Sequence, residues 1–129
     1  MKKIIFILLM FSFGQLMAQR YMTRNAEVYF LSDTDALEVV EATNNQVGAA
    51  VDLSSNNIAF QIQMRAFKFK IALMEEHFNE NYVESEKYPK ATFKGTFTNL
   101  PKDLSKQHEL VADGVMDFHG VQKDIEVSV

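Results

Sequence analysis

Alternation of apolar and polar residues along most of the chain is the feature that most restricts its fold. In the segment 58–65 every second residue is Ile, Phe or Met, and the residues between them are Ala, Gln or Arg. The same period of two recurs in the segments 26–30, 47–53, 67–71, 91–97, 110–118 and 125–129. Because successive side chains of a strand point to opposite faces, this period predicts strands with one buried face. We therefore expect a mostly β, antiparallel chain.

Two positions interrupt the alternation. The apolar phase slips by one residue at Arg65–Ala66, which predicts a β-bulge that bends a continuous strand. Between Ile71 and Tyr82 the apolar residues recur at helical spacing, which predicts one short amphipathic helix. Pro89 prevents any continuation of that helix. Half-buried strands with a single inserted helix suit a β-barrel or a sandwich.

The N-terminus has the layout of a secretory signal peptide. Lys2 and Lys3 precede a run from Ile4 to Phe13 that is apolar except for Ser12. Ala18 then offers a small residue at a cleavage position. The apolar run is shorter than the roughly 20 residues of a membrane-spanning helix. We expect a signal peptide over residues 1–18 and a mature domain over residues 19–129 that is periplasmic or secreted and has no integral membrane segment.

The charge and the residue types present disfavour several classes of function. The full chain has a formal net charge of −4, and loss of Lys2 and Lys3 leaves 11 basic against 17 acidic residues, or −6. An acidic chain has no excess of cations to neutralise phosphates, so we expect no nucleic-acid partner. There is no Cys, which excludes disulfides, thiolate catalysis and Cys-ligated metals.

The residues that carry catalysis in other proteins form no known motif here. His77, His108 and His119 lack metal-ligand spacing. No Gly-x-Ser-x-Gly elbow and no glycine-rich phosphate loop occurs. We therefore expect a protein that is not an enzyme and has no catalytic residue, metal or cofactor. An enzyme whose metal is held by the three histidines, converging in space, is the weakest alternative.

Two passages of the sequence resemble the YceI-like family of lipid- and polyisoprenoid-binding proteins. The first, Ala72–Gly95, reads ALMEEHFNENYVESEKYPKATFKG and contains a Met-x-x-His helix followed by Lys-Tyr-Pro-x-Ala-x-Phe. The second, Asp113–Lys123, reads DGVMDFHGVQK and is similar to the family's Gly-x-Leu-x-x-His-Gly-Val-x-Lys hairpin, with Met116 where Leu is usual. With Ala26–Leu53 as the opening strands, the resemblance covers nearly the whole mature chain. The composition of the helix is similar to versions from Gram-negative bacteria.

The resemblance implies a fold, a ligand class and a compartment. The fold is a lipocalin-like antiparallel β-barrel, closed partly by the helix, around an apolar cavity. The ligand is an amphiphilic lipid with a long isoprenoid or fatty-acyl chain, and the protein is a periplasmic, non-catalytic carrier or sequestering protein. Each CH₂ group removed from water contributes about 0.8 kcal/mol, so plain apolar side chains suffice to bind such a ligand.

The inward apolar positions of the strands are the candidate ligand-binding residues. They are Phe60, Ile62, Met64, Phe67, Phe69, Phe93, Phe97, Met116 and Phe118. Arg65, Lys68, Lys70 and His77 are candidates for contact with a phosphate head group. Periodicity alone does not separate a hollow barrel from a filled one. The alternative function is therefore a structural or interaction module with a filled barrel, which acts through its acidic surface.

The alternation still runs at Val129, whereas members of the family usually continue with further strands. This predicts either a truncated sequence or a barrel that lacks its last strands. Unpaired backbone groups at such an edge promote pairing with another chain. We expect a homodimer or aggregation of the 111-residue product, unless the helix over Ile71–Tyr82 covers the gap.

Overall fold

The computed structural model describes residues 19–32 and 39–129, so the predicted signal peptide lies outside the described residues. The described strands are β1 (Arg20–Ser32), β2 (Val40–Asp52), β3 (Asn57–Gln63), β4 (Lys90–Phe97), β5 (Val111–Phe118) and β6 (Val121–Ser128). A 3₁₀ turn (Met64–Ala66), the helix α1 (Ala72–His77) and a π-helical turn (Phe78–Tyr82) lie between β3 and β4. The predicted mostly β chain with one short helix is thus confirmed.

The six described strands form a single antiparallel sheet in the order β1–β2–β3–β4–β5–β6. Each strand pairs with its neighbour in sequence, and β1 and β6 are the two edges. The described strands therefore form an open antiparallel sheet, whereas we expected a lipocalin-like barrel, either closed or lacking its last strands. A barrel that encloses large side chains needs about eight strands, and six strands around Phe-rich clusters leave a gap between β1 and β6.

Two tight turns set the strand register. His119 and Gly120 join β5 to β6 with φ of 54° and 74°, the left-handed pair that a two-residue hairpin requires. Asn56, with φ of 58°, ends the turn between β2 and β3. The His119–Gly120 turn lies in the hairpin that the family resemblance implied.

The prediction of a β-bulge at Arg65–Ala66 is wrong, because the chain makes a turn there and not a continuous strand. The one-residue shift of the apolar pattern does change which side chains face inward. β3 ends at Gln63, and the chain then makes the 3₁₀ turn Met64–Ala66. After this turn Lys68 forms an isolated bridge with Thr43, with N···O distances of 2.8 and 3.1 Å. The turn changes which side chains face inward, so that Phe67 is buried and Phe69 half-buried.

The predicted buried face of the helix also needs correction. Tyr82 is 74% exposed and Ile71 is 52% exposed, whereas Val83 is only 3% exposed. For Tyr82 and Val83 the cause is the π-helical turn, in which the Val83 N–H donates to the Phe78 carbonyl oxygen at 2.9 Å. A five-residue repeat replaces the usual spacing there, so Val83 takes the inward position after Phe78.

The inward face of the sheet carries two core clusters. The first is Ala42, Val47, Ile62, Met64, Phe67, Val83 and Ala91, next to the helical segment. The second is Ile58, Phe93, Phe97 and Ala112, at the other end of the sheet. Phe60 and Met116 pack against both clusters, so the interior is continuous.

Candidate functional site

Two apolar cavities lie at the end of the interior that holds the helical segment. The larger, of about 840 Å³, is lined by Phe30, Val40, Phe69, Met74, Phe78 and Val83 among others. The smaller, of about 390 Å³, lies between β1 and the β5–β6 hairpin, where its lining includes Val28, Met64, Phe67, Met116, Lys123 and Ile125. Phe30 and Phe118 line both cavities. We call the two together the apolar trough.

An aromatic cluster centred on Phe30 forms the wall between sheet and helix. Its ring centroid lies 5.4 Å from Phe67, 6.1 Å from Phe69 and 5.7 Å from Phe78. The rings of Phe69 and Phe78 are 4.9 Å apart. Aromatic pairs at such distances attract beyond their area burial. The cluster therefore fixes the helical segment over one end of the trough.

The structure divides the nine candidate ligand-binding residues into two groups. Those that line the trough are Ile62, Met64, Phe67, Phe69, Met116 and Phe118. The other three, Phe60, Phe93 and Phe97, line neither cavity and pack in or against the second core cluster. The rings of Phe60 and Phe93 stack at 4.9 Å. This end of the interior is filled, as the alternative prediction supposed for the whole barrel.

Several lining residues were absent from the sequence-based candidates. Val28 and Phe30 lie on the inward face of β1, and the alternation of residues 26–30 was sufficient to identify them. Met74 and Phe78 come from the helical segment, whose apolar face was assigned to packing. Val83 was missed because no local sequence pattern predicts a π-helical turn.

The segment after the helix contacts the turn of the β5–β6 hairpin. His119 Nε2 lies 2.8 Å from Glu84 Oε2, and the His119 ring centroid lies 4.5 Å from that of Tyr88. A Cβ added at Gly120 would meet the Tyr88 ring at 2.9 Å. The close fit of Tyr88 against the turn holds the helical segment beside Phe118, at the mouth of the trough.

The cations that we considered as head-group contacts are already paired. Arg65 Nη2 lies 3.2 Å from Glu86 Oε1, Lys68 Nζ lies 3.7 Å from Glu75 Oε1, and Lys70 is paired with Glu41. None of the three lines the trough, whereas His77 lines the larger cavity. The paired side chains are thus poorly placed to meet a ligand's head group.

A hydrogen-bonded group on the outer face joins β1, β2 and the segment before the helix. The Tyr29 hydroxyl donates to Glu41 Oε2 at 3.0 Å, and Lys70 pairs with the same carboxylate. The hydrogen bonds from Lys70 and Tyr29 lower the pKa of Glu41 below its ordinary value of 4.5. In return, the Glu41 carboxylate raises the pKa of Tyr29 and that of Lys70.

We expect the Glu41 group to make stability depend on pH on the acid side. A carboxyl whose pKa is lowered by folding stabilises the folded state above its unfolded pKa, and this contribution is lost as the pH falls through the folded pKa. Glu41→Gln should therefore reduce the free energy of unfolding at neutral pH and make its decline below pH 4.5 shallower. Urea unfolding across this range measures both effects.

Some acid dependence should remain in Glu41→Gln. Hydrogen bonds from Ser54 lower the pKa of Asp52, and those from Ser105 lower the pKa of Asp103. Asp103→Asn is the comparison variant: it should also make the decline shallower, but through Asp103 alone, since Asp103 lies in the loop between β4 and β5, outside the Glu41 group. Identical pH profiles for wild type and Glu41→Gln would contradict the assignment.

The three histidines have separate surroundings. His77 lies on α1, His108 Nε2 lies 2.7 Å from the Asp103 carbonyl oxygen, and His119 contacts Glu84. Across residues 19–32 and 39–129, no three His, Asp or Glu side chains come together in a group that could hold a metal ion. In the same part of the chain, no helix has both the length and the apolar character needed to span a membrane.

Comparisons with known proteins agree with this architecture. The YceI-like domain family matches the chain over residues 21–129. A polyisoprenoid-binding domain from Saccharophagus degradans, implicated in plant cell wall breakdown, is similar in structure with a TM-score of 0.60 at 14% sequence identity. That match covers 86% of this chain and 66% of the Saccharophagus chain. No curated protein matches the sequence.

The Campylobacter jejuni YceI protein is a second similar structure, with a TM-score of 0.48 and 13% identity. The match covers 84% of this chain and 53% of the Campylobacter chain. The chain thus spans just under two thirds of the first of these relatives and about half of the second. At such identities the likeness concerns the fold.

Proposed function

This chain belongs to the YceI-like domain family, and we propose that it binds a long-chain amphiphilic lipid in the apolar trough. The lipid carries an isoprenoid or fatty-acyl chain, and the protein acts as an exported, non-catalytic carrier or sequestering protein. The compartment is the periplasm or the medium, as the sequence of residues 1–18 suggests.

The observation that carries this proposal is the trough itself. Its larger cavity, about 840 Å³, is in the range of ligand-binding pockets, roughly 300–1,000 Å³. In the smaller cavity every lining residue except Lys123 is apolar. Each CH₂ group that enters such a site contributes about 0.8 kcal/mol, so a long chain needs few polar contacts. Met64, Met74 and Met116 add side chains that repack easily around different ligands.

The relatives supply the ligand class to test first. The Saccharophagus domain of similar fold is described as polyisoprenoid-binding. We extend this ligand class to the present chain because the apolar trough offers an elongated apolar site. Fatty-acyl chains remain the second class, since an apolar wall does not distinguish them from isoprenoids.

The second candidate function is an interaction module whose interior is filled by side chains and which acts through its acidic surface. The stacking of Phe60 on Phe93 favours it. That stack occupies one end of the interior, however, and the two cavities occupy the other. The unpaired edges of β1 and β6 among the described strands also support pairing with a second copy of the chain. Such a homodimer is compatible with lipid binding.

The experiment that tests lipid binding is native mass spectrometry of the protein purified from its own host. We expect a co-purifying mass consistent with an isoprenoid or fatty-acyl lipid. Met74→Trp should lower lipid occupancy at least ~10-fold, equivalent to about 1.4 kcal/mol, because the indole fills part of the larger cavity that Met74 lines.

The matched control is Glu76→Trp, which places the same side chain at an exposed position of the same helix. Glu76 does not line the trough, so this variant should keep its lipid. A wild-type protein without bound lipid, which also fails to take up geranylgeraniol or palmitate from vesicles, would contradict the proposed function and favour the filled module.

A further inference from the structure

Lys123 is a charged residue on the inward face of the sheet. In the β5–β6 register Lys123 pairs directly with Met116, and its neighbours Val121 and Ile125 on the same face pair with Phe118 and Gly114. Directly paired residues of an antiparallel sheet point to the same side. Met116 packs against both core clusters, so Lys123 lies on the same face of the sheet, where it is exposed on the edge strand β6.

The surroundings of Lys123 differ from those of the other cations discussed above. It lines the smaller cavity, and the remaining lining residues are Ala, Val, Ile, Met or Phe. Within residues 19–32 and 39–129, no carboxylate oxygen lies within the 4.0 Å of a salt bridge to Lys123. Arg65, Lys68 and Lys70 each have such a partner.

We propose that Lys123 binds the head group of the lipid, and that the lipid is therefore an anionic amphiphile. The anion is a phosphate or a carboxylate attached to the long chain. It contacts the Lys123 ammonium at the open side between β1 and β6, while the chain lies in the trough. This inference rests on the proposed function and adds the charge of the ligand to it.

The physical reason is the position of the Lys123 charge, which is exposed at the edge of the sheet and lies beside apolar walls. The methylene stem of a lysine packs well on apolar residues such as Val121 and Ile125, and its ammonium stays near water. An anion brought there by the ligand interacts in a less polar environment than bulk water, where charge-assisted hydrogen bonds are strong. A neutral alcohol of equal chain length lacks this interaction.

An inward-pointing charge on an edge strand has a second physical explanation. Natural sheets place such charges at edges to prevent pairing with other chains, and β6 is an edge of the described sheet. This explanation requires no ligand. It predicts that removal of the charge increases self-association without any change in the choice of ligand.

The test compares ligands that share a chain and differ in head group. Geranylgeranyl monophosphate is paired with geranylgeraniol, and palmitate with hexadecanol, in competition with a fluorescent fatty-acid probe. We expect wild type to prefer the anion at least ~10-fold in both pairs, and this preference should weaken at high salt. Lys123→Met should lose the preference but keep its affinity for the alcohols, whereas Lys123→Arg should retain the preference.

Lys94→Met is the matched control, because Lys94 is an exposed lysine of β4 outside the trough. It should keep the wild-type preference. An unchanged preference in Lys123→Met, alone or together with a larger species in light scattering, would overturn the inference in favour of edge protection. Displacement of the probe by inorganic phosphate alone would overturn the assignment to a lipid. Equal binding of alcohol and anion by wild type would refute Lys123 as the head-group site while leaving lipid binding intact; binding of neither would refute both.

Discussion

Phe93→Ala is expected to lower the free energy of unfolding by about 3–5 kcal/mol, the usual cost of removing a fully buried Phe side chain. Phe93 is 0% exposed and lies in the second core cluster, where its ring stacks on Phe60 at 4.9 Å. The substitution removes the ring and leaves a cavity, because the paired strands β3 and β4 cannot close around it. Urea unfolding followed by circular dichroism measures the loss.

Phe118→Ala provides the control within the same sheet. Phe118 is 42% exposed and lines the trough, so its loss should cost only about 1 kcal/mol while changing lipid affinity. Phe93 lines neither cavity. Any loss of lipid binding in Phe93→Ala should therefore be proportional to the fraction of the protein that is unfolded. A destabilisation by Phe93→Ala no larger than that by Phe118→Ala would contradict the filled end of the interior.

The strands could be predicted from the sequence because a period of two determines which side chains of a strand share the buried face. Ile58 and Ile62 could only face the core together, and both are buried. The closure of the sheet was not predictable in this way. Alternation specifies which face of a strand is buried, but not which strand forms the edge, so the period of two by itself did not place the open side between β1 and β6.

The candidate site was predicted in part for a related reason. Alternation places Phe69 and Phe93 equally well in an apolar interior, yet Phe69 lines a cavity and Phe93 lies in a filled cluster. The difference depends on how side chains from distant strands and the helical segment fill the space. Lys123 was overlooked because the candidates were chosen from apolar residues only, although it shares the face of Val121 and Ile125, and its register with Met116 places it at the exposed rim of the trough.

Gly114→Val is expected to prevent folding at physiological temperature. Gly114 and Gly95 face one another across the β4–β5 register. A Cβ added at Gly114 would contact the carbonyl oxygen of Lys94 and lie 2.5 Å from the Cα of Gly95. These are backbone atoms of a paired strand, so they cannot move aside without breaking the β4–β5 ladder. Overpacking of cores costs about 1–3 kcal/mol in ordinary cases, and a clash with backbone exceeds that range.

The control for Gly114→Val is a glycine with free space. A Cβ added at Gly48 in β2 meets no atom within 4 Å, so Gly48→Ala should be neutral or stabilise the fold by about 0.5–1 kcal/mol. Gly114→Ala lies between the two variants, since one methyl group already makes the close contacts described. Urea unfolding of the three variants should therefore rank them Gly48→Ala, Gly114→Ala, Gly114→Val from most to least stable. A Gly114→Val protein that unfolds cooperatively at the wild-type urea concentration would show that β4 and β5 can separate at this point, and the continuous sheet that supports the trough would then need revision.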